Sequence, residues 1–503
     1  MFFALGVPPS LSLLLPLLVL ACAPVEESPA PAAVRPLPAA VATTPPAVEW
    51  IWADGPVAWG EWSDANLARA QREDRPLLVY FAAPGCEGLF PDPTPALRQL
   101  VEEVFVGVRV DPFARPDIAR HYDAGGWPAL VAALPDGRVF ARAVDIPPPN
   151  VEMYLRRLAA AFADKREVVV DKVRGATARR ETPAPLDVAA VYRVCAAAFD
   201  SVHGGFGGPT KFLEAPVLRF LLAYADARGE ERARRMVRRS LDAILASPLH
   251  EAGGFRAFSH APDWRAPADE RDALDQAAML HLLLEAGESR RSAARALFDF
   301  IARDLFAAGH FRGRQVAVGT GWWTDSALYA DRQAALIGAC LVADEVLGEG
   351  RALDMALQAG DILIARCIDG DGGVRHVCGG EGAGIAGLLE DQAAAALALW
   401  ALSERSGASH FARAAARVAD FMERHLGGDT AFYGRVAGAG PLVRGFSHRD
   451  DGRPSGNALV LEFYGRRGDA GRLAALAKEG LRRAPSRAYS SWARAVLYYG
   501  RAL

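Results

Sequence analysis

Cysteine is scarce in this chain: six residues in 503, at positions 22, 86, 195, 340, 367 and 378. They form no dense Cys/His cluster, which excludes a zinc finger or ribbon, and the sequence calls for no metal and no cofactor. An excess of either charge is also missing. With 57 Lys+Arg against 60 Asp+Glu the net charge is -3, which gives no general attraction to nucleic acid or anionic lipid. There is no phosphate-binding glycine loop ahead of a helix and no nucleophile elbow. The Asp369-Gly370-Asp371-Gly372 stretch lacks the later ligands of a calcium loop and reads as a turn. What the chain has in quantity is apolar surface, at 51% hydrophobic residues, enough for two cores at this length.

It also has a beat. Asp275-Gln276-Ala277-Ala278, Asp331-Arg332-Gln333-Ala334, Glu390-Asp391-Gln392-Ala393 and Gly456-Asn457-Ala458 each open an apolar run, and the amides stand 57, 59 and 65 residues apart. A second marker precedes each: Gly253-Gly254-Phe255, Gly309-His310-Phe311, Gly372-Gly373-Val374 and Phe432-Tyr433-Gly434, with Gly204-Gly205-Phe206 earlier. Spacing this long and regular marks a repeat protein with a large unit.

The chain opens with an apolar run at 11–20, too short to span a membrane, that ends in Leu20-Ala21-Cys22. This resembles a bacterial lipobox, with Cys22 as the lipid anchor. It predicts a signal peptide over 1–22, a Pro/Ala-rich tether over 23–49 and attachment to a bacterial cell envelope, the membrane being met through the lipid alone. From 50 to 165, apolar strand candidates at 76–82, 104–110 and 129–134 alternate with helical spacings, which predicts a small α/β domain. A charged and then Pro/Thr-rich stretch, 166–186, reads as a linker.

Residues 187–503 alternate two kinds of helix. Amphipathic, Arg-rich helices are expected near 187–199, 230–247, 289–306, 351–367, 410–426 and 470–483. Ala-rich helices, apolar almost all round, are expected near 216–227, 275–286, 332–347, 391–403, 456–464 and 490–501. The second kind must be buried and the first can cover it, so the expected closure is an all-α (α/α)6 toroid with an inner and an outer ring.

Several motifs carry a resemblance. Arg75-Pro76-Leu77-Leu78, Gly85-Cys86, Val108-Arg109-Val110-Asp111, Arg115-Pro116-Asp117-Ile118 and Gly125-Gly126-Trp127-Pro128 are similar to the first domain of the spermatogenesis-associated protein 20 family. Gly204-Gly205-Phe206-Gly207, Leu389-Glu390-Asp391 and Pro454-Ser455-Gly456-Asn457 continue it. The resemblance implies an α/β thioredoxin-like domain followed by a six-hairpin glycosidase-like toroid, with Pro128 as a cis-proline. The family's Cys-x-x-Cys is here Cys86-Glu87-Gly88-Leu89, so no resolving thiol is present and Cys86 is a degenerate redox site. The family's Phe-His-Arg-Tyr-Ser and Pro-His-Phe-Glu-Lys are here Phe255-Arg256-Ala257-Phe258-Ser259 and Pro267-Ala268-Asp269-Glu270-Arg271, so both histidines are gone.

Inner helices of a toroid start at one rim, so their first residues are expected around one funnel mouth. Asp275, Glu390 and Asp391 are the candidate catalytic carboxyls. Trp264, Glu270, Gln276, Trp322, Trp323, Asp331, Gln333, Gln392 and Asn457 are the candidate substrate-binding residues, with the tryptophans as loop-borne platforms for a sugar ring. Helix capping competes with that reading for the aspartates, less well for the recurrent glutamine. Cys367 and Cys378 flank the Asp369–Gly372 turn and could pair with each other outside the cytoplasm. The expected function is to bind or process a carbohydrate in the funnel. A non-catalytic scaffold for an envelope protein partner and a monothiol redox protein acting through Cys86 are the alternatives.

Overall fold

The first domain is organised by two strands that are buried on both faces. In the computed structural model, which describes residues 57–83, 90, 93–122, 125–178, 187–379, 384–428, 431–437, 445–480 and 486–499, these are β2 (Leu77–Phe81) and β4 (Ala129–Ala133). Their continuous apolar runs suit a sheet covered on each side. With β1 (Gly60–Glu61), β3 (Val106–Val110) and β5 (Val139–Val144) they form a five-stranded sheet in the order β1-β3-β2-β4-β5. The β1, β3 and β2 strands run parallel and β4 and β5 are antiparallel; Val79 pairs with Val108 on one side and Val131 on the other.

Helix α1 (Asp64–Glu73), N-capped by Ser63, covers one face with α3 (Pro116–Tyr122), burying Ala70, Ile118 and Tyr122 on Val79 and Val131. On the other face α2 (Pro95–Gln99), which runs on into a π turn at Leu100–Val104, and α4 (Pro148–Asp164) pack on Leu78, Tyr80 and Leu130. This is a thioredoxin-like fold. The Trp127–Pro128 peptide is cis.

The expected linker is not a linker at its start. Residues Arg166–Ala178 form helix α5, whose Val169, Val170 and Val173 pack on Leu134, Phe140 and Phe162. The charges of Lys165, Arg166 and Glu167 concealed an apolar helical face behind them. Residues 179–186, like Cys22 and Cys86–Leu89, lie outside the described residues.

Among the described residues, the rest is built around a ring of twelve helices. The inner six are α7 (Ala215–Arg228), α9 (Ala273–Glu285), α11 (Ala330–Leu347), α13 (Leu389–Ser406), α15 (Gly456–Arg467) and α17 (Ser490–Tyr499). Each packs on the next and α17 returns to α7, closing the circle. The outer six are α6 (Val188–Ala198), α8 (Glu231–Leu245), α10 (Arg291–Phe300), α12 (Gly350–Cys367), α14 (Ser409–His425) and α16 (Ala470–Gly480). The protein is therefore a thioredoxin-like domain plus an (α/α)6 toroid, and both belong to one compact unit.

Composition explains the layers. On α11 Leu336, Ile337, Ala339 and Cys340 are all fully buried, and each such Leu or Ile contributes about 1.5–3 kcal/mol. Yet one stripe on each of three neighbouring inner helices keeps partial exposure at three- and four-residue spacing: Asp275, Ala278 and His281 on α9, Ala335, Gly338 and Val342 on α11, Glu390, Ala394 and Leu397 on α13. Outer helices cover the ring from outside, so these stripes face its axis and line a bore.

Candidate functional site

The recurrent amide has a definite job at the ring mouth. Gln276 Oε1 accepts the Phe255 N–H and its Nε2 donates to the Phe255 carbonyl, both at 2.8 Å. Gln333 clasps Phe311 in the same way, at 2.8 and 2.5 Å, and Asn457 clasps Phe432 at 2.8 Å in both directions. Gln392 makes only the first half of the clasp, accepting from Val374 N at 3.1 Å. Each of these four inner helices thus holds the loop that precedes it by one main-chain unit, satisfying a buried N–H and, in three cases, the C=O.

Glycine fits beside that unit for steric reasons. At Gly372, φ is 97° and a Cβ would lie 2.2 Å from the Arg417 carbonyl of the neighbouring outer helix; at Gly253, φ is 90° and a Cβ would lie 2.5 Å from the Ala296 carbonyl. The four amides are buried in this work. They do not present themselves to a substrate, which corrects the expectation for Gln276, Gln333, Gln392 and Asn457.

The expected platforms divide. Trp264, 1% exposed, lies with its indole against Gly205 and donates Nε1–H to the His203 carbonyl at 2.9 Å, so it wedges two loops together away from the bore. Trp322 and Trp323 are on a strand, Gly321–Asp325, and not in a loop; it pairs with Arg314–Val318, which pairs with Glu270–Asp272. Successive side chains on a strand face opposite ways. Trp322 therefore shares a face with Arg271, whose guanidinium sits 3.8 Å from its ring centre, and is covered by it. Trp323 lies across from Val316, which lies across from Glu270, so Trp323 and Glu270 share the other face.

The carboxyls divide as well. Asp331 takes the Arg332 N–H at 2.7 Å and pairs with its guanidinium at 3.1 Å, while Asp272 holds the same guanidinium at 2.9 Å and caps α9. Burial pushes Asp331 up, but Arg332, His376 and Arg453 more than offset it and hold it at about 2. Asp391 faces His376 Nδ1 with both oxygens, at 2.9 and 3.0 Å. Glu390 binds Arg120 of α3 and accepts from Ser447. Asp331, Glu390 and Asp391 are thus engaged by protein groups, which removes Glu390 and Asp391 as free acid/base groups.

Among the described residues at the mouth, Asp275 has no protein hydrogen bond or ion pair and Glu270 has only a long ion pair with Arg314. Asp275 keeps partial exposure on the bore, and burial, with Asp272 and Glu270 nearby, raises it well above the usual carboxylate range. Glu270 is likewise raised by burial, against the pull of Arg314 3.7 Å away.

The first domain covers this mouth with its cis-proline edge. Phe113 and Ala83 are buried against Tyr329, with Trp127, Ala327 and Val377 packed around them. Arg314 lies 4.1 Å above the Phe113 ring, and the Phe113 carbonyl meets His376 Nε2 at 2.8 Å. His376 belongs to the loop closed by the Cys367–Cys378 disulfide. Sequence reasoning missed both Phe113 and His376, because their partnership spans 263 residues and neither stands in a recurring motif.

Ligand atoms of Asp331, His376 and Asp391 lie within 4.8 Å of one another, a separation that would suit a metal ion. The arrangement does not fit one. Both imidazole nitrogens already face acceptors, and guanidinium groups of Arg332 and Arg453 supply positive charge at Asp331. Elsewhere, a cavity of about 960 Å³ runs along outer helix α8, lined by Arg235, Arg238, Arg239 and Trp264 among others; it shares no residue with the mouth.

A family model described as "Protein of unknown function, DUF255" (Thioredox_DsbH) matches residues 50–179. The human spermatogenesis-associated protein 20 is 24% identical over 296 residues, 50% of this chain and 38% of its own length. An uncharacterized protein of Caenorhabditis elegans is 23% identical over 261 residues, 45% of this chain and 36% of its own length. This chain therefore matches well under half the length of its curated relatives. Among solved structures, a D-mannose isomerase superposes on 63% of this chain and 96% of its own with a TM-score of 0.51 and 10% identity, which concerns the toroid fold alone.

The curated relatives come from human, rat, mouse and C. elegans. They overturn the expectation of a bacterial cell envelope, which rested on a short apolar run and Cys22 outside the described residues. With the family model over its first domain and these low-identity relatives, the chain is similar to the spermatogenesis-associated protein 20 family, as a divergent relative.

Proposed function

We propose that this protein binds a carbohydrate in the bore of its toroid, at a site formed by Glu270, Asp275 and Trp323 and covered by the thioredoxin-like domain. The observation that carries this reading is Asp275: a carboxyl on the bore, partly exposed, favouring its protonated form, and engaged by no protein hydrogen bond among those described. A neutral carboxylic acid both donates and accepts, as hydroxyl recognition requires, and a raised pKa also suits a general acid. Trp323 on the strand face of Glu270 offers the apolar surface that a sugar ring covers. An (α/α)6 ring hosts many activities, so the proposal rests on these side chains and not on the fold.

A screen of mono- and oligosaccharides by calorimetry, run on the full chain and on Asp275→Asn and Glu270→Gln, tests it. Binding by the parent chain that is lost in both variants, with unfolding temperatures no lower than the parent's, is the expected result. Absence of binding to every glycan would instead favour the scaffold reading, which has its own support in the covered mouth and in the loss of the Cys-x-x-Cys pair.

A further inference from the structure

His376 stands between the two domains with an acceptor at each nitrogen. Its side chain is 2% exposed; Nδ1 meets both oxygens of Asp391 and Nε2 meets the Phe113 carbonyl. A carbonyl can only accept. Nε2 must therefore carry a hydrogen, and a second proton must lie between Nδ1 and Asp391, whichever of the two holds it. The pair binds one proton more than a neutral imidazole facing an ionised aspartate. When that proton leaves, one hydrogen remains for two acceptors. The charged carboxylate is the stronger acceptor and takes it at Nδ1, which turns the Nε2 lone pair toward the Phe113 oxygen. The contact that fails is the one between domains.

We propose that Phe113, His376 and Asp391 form a proton-operated latch that holds the thioredoxin-like domain closed over the toroid mouth and releases that edge as the pH rises. The carboxylates around the ring outweigh what opposes them. Asp391 and Asp331 face it as carboxylates, Arg332 opposes them, and the Tyr329 ring lies 5.7 Å away; from the first domain comes the Phe113 carbonyl, with Arg314 over its ring. Burial alone would lower the imidazole, and the two carboxylates more than offset it and raise it. The extra proton belongs to the closed state. Closure is then fully supported below the ordinary imidazole value of about 6.5 and is lost as pH rises through the higher closed-state value. Arg120–Glu390 ties the domains at a separate point, so the edge opens without the domain detaching. The latch stands whether or not the bore binds a sugar.

Hydrogen exchange of the full chain at pH 6 and pH 9, corrected for intrinsic rates, reads the latch at peptides spanning 111–116 and 374–378. The expected result is about a tenfold loss of protection at both between these pH values, absent in His376→Gln, and shifted to lower pH in Asp391→Asn. If His376→Gln does not fold, histidine-selective ¹⁵N spectra of the parent chain, with the carboxyl signal of Asp391, decide: the latch requires a proton on Nε2 and a second on Nδ1 or Asp391 at pH 6, and a single proton, on Nδ1, at pH 9. Equal pH dependence in His376→Gln, a ring with a bare nitrogen at pH 6 and no proton on Asp391, or retention of one zinc or manganese per chain after dialysis would each overturn it.

Discussion

Two sets of polar residues stand at the starts of the inner helices, and the protein uses them in opposite ways. The amides of Gln276, Gln333 and Asn457 are buried with both ends spent on a loop main chain, whereas the carboxyls of Asp275 and Glu270 are partly exposed and carry no such duty. The amides recur because four successive repeats have the same loop to hold. Asp275 recurs as well, standing one residue before its amide as Asp391 stands before Gln392, yet Asp391 is spent on His376 whereas Asp275 has no hydrogen bond among those described. Recurrence in this chain reports architecture, and a difference in partners at a recurring position reports chemistry.

Breaking a clasp has the largest expected effect. Gln333→Ala leaves the buried Phe311 N–H and C=O unpaired, and at roughly 1–3 kcal/mol for each group the ring loses about 2–6 kcal/mol. The midpoint of urea unfolding measures it, and a change under 0.5 kcal/mol would mean that the amides are not structural. Gln392→Ala sharpens the same point, because Gln392 makes half a clasp and its loss costs about half as much.

The carboxyls predict the reverse. Asp275 is raised in the folded protein, so the folded chain holds its proton more tightly than the unfolded one, and stability falls as pH climbs from the unfolded value toward the folded one. Asp275→Asn removes that penalty. The variant is expected to be as stable as the parent at pH 4 and more stable at pH 8, the gap widening between them in thermal melts. A variant less stable at pH 8 would put Asp275 among the structural residues and remove it from the proposed site.

The same contrast accounts for what the sequence could and could not disclose. Twelve helices, their two layers and the closure of the ring were legible, because burial on all sides or on one side leaves a periodic trace in composition. The amides were visible as a beat, but their purpose was not, since a glutamine that clasps a loop and one that meets a substrate look alike in sequence. The strand carrying Trp322 and Trp323 was hidden by its Gly319-Thr320-Gly321 turn, which reads as loop, and α5 was hidden by its charged opening. His376 was the least accessible of all. Its role depends on Phe113 from another domain, and no local spacing encodes that meeting.

The smallest expected effect falls on an ion pair that also ties the domains. Arg120 grips Glu390 with two nitrogens, at 2.5 and 3.0 Å, with the side chains 33% and 15% exposed. Solvent screens such a pair, and its contribution is about 1 kcal/mol or less. Glu390 also keeps Ser447 as a partner when the arginine is removed, so Arg120→Ala leaves no carboxylate stranded. The single variant should therefore melt within about 2 °C of the parent. At pH 6 it should also retain the exchange protection of residues 111–116, because the Phe113–His376 contact still holds that edge. At pH 9 that contact is gone and Arg120 is one of the remaining ties, so Arg120→Ala should lose more protection there than the parent does. An equal loss at both pH values would show that the ion pair and the histidine act independently, and would assign the domain contact to apolar packing around Phe113 and Tyr329.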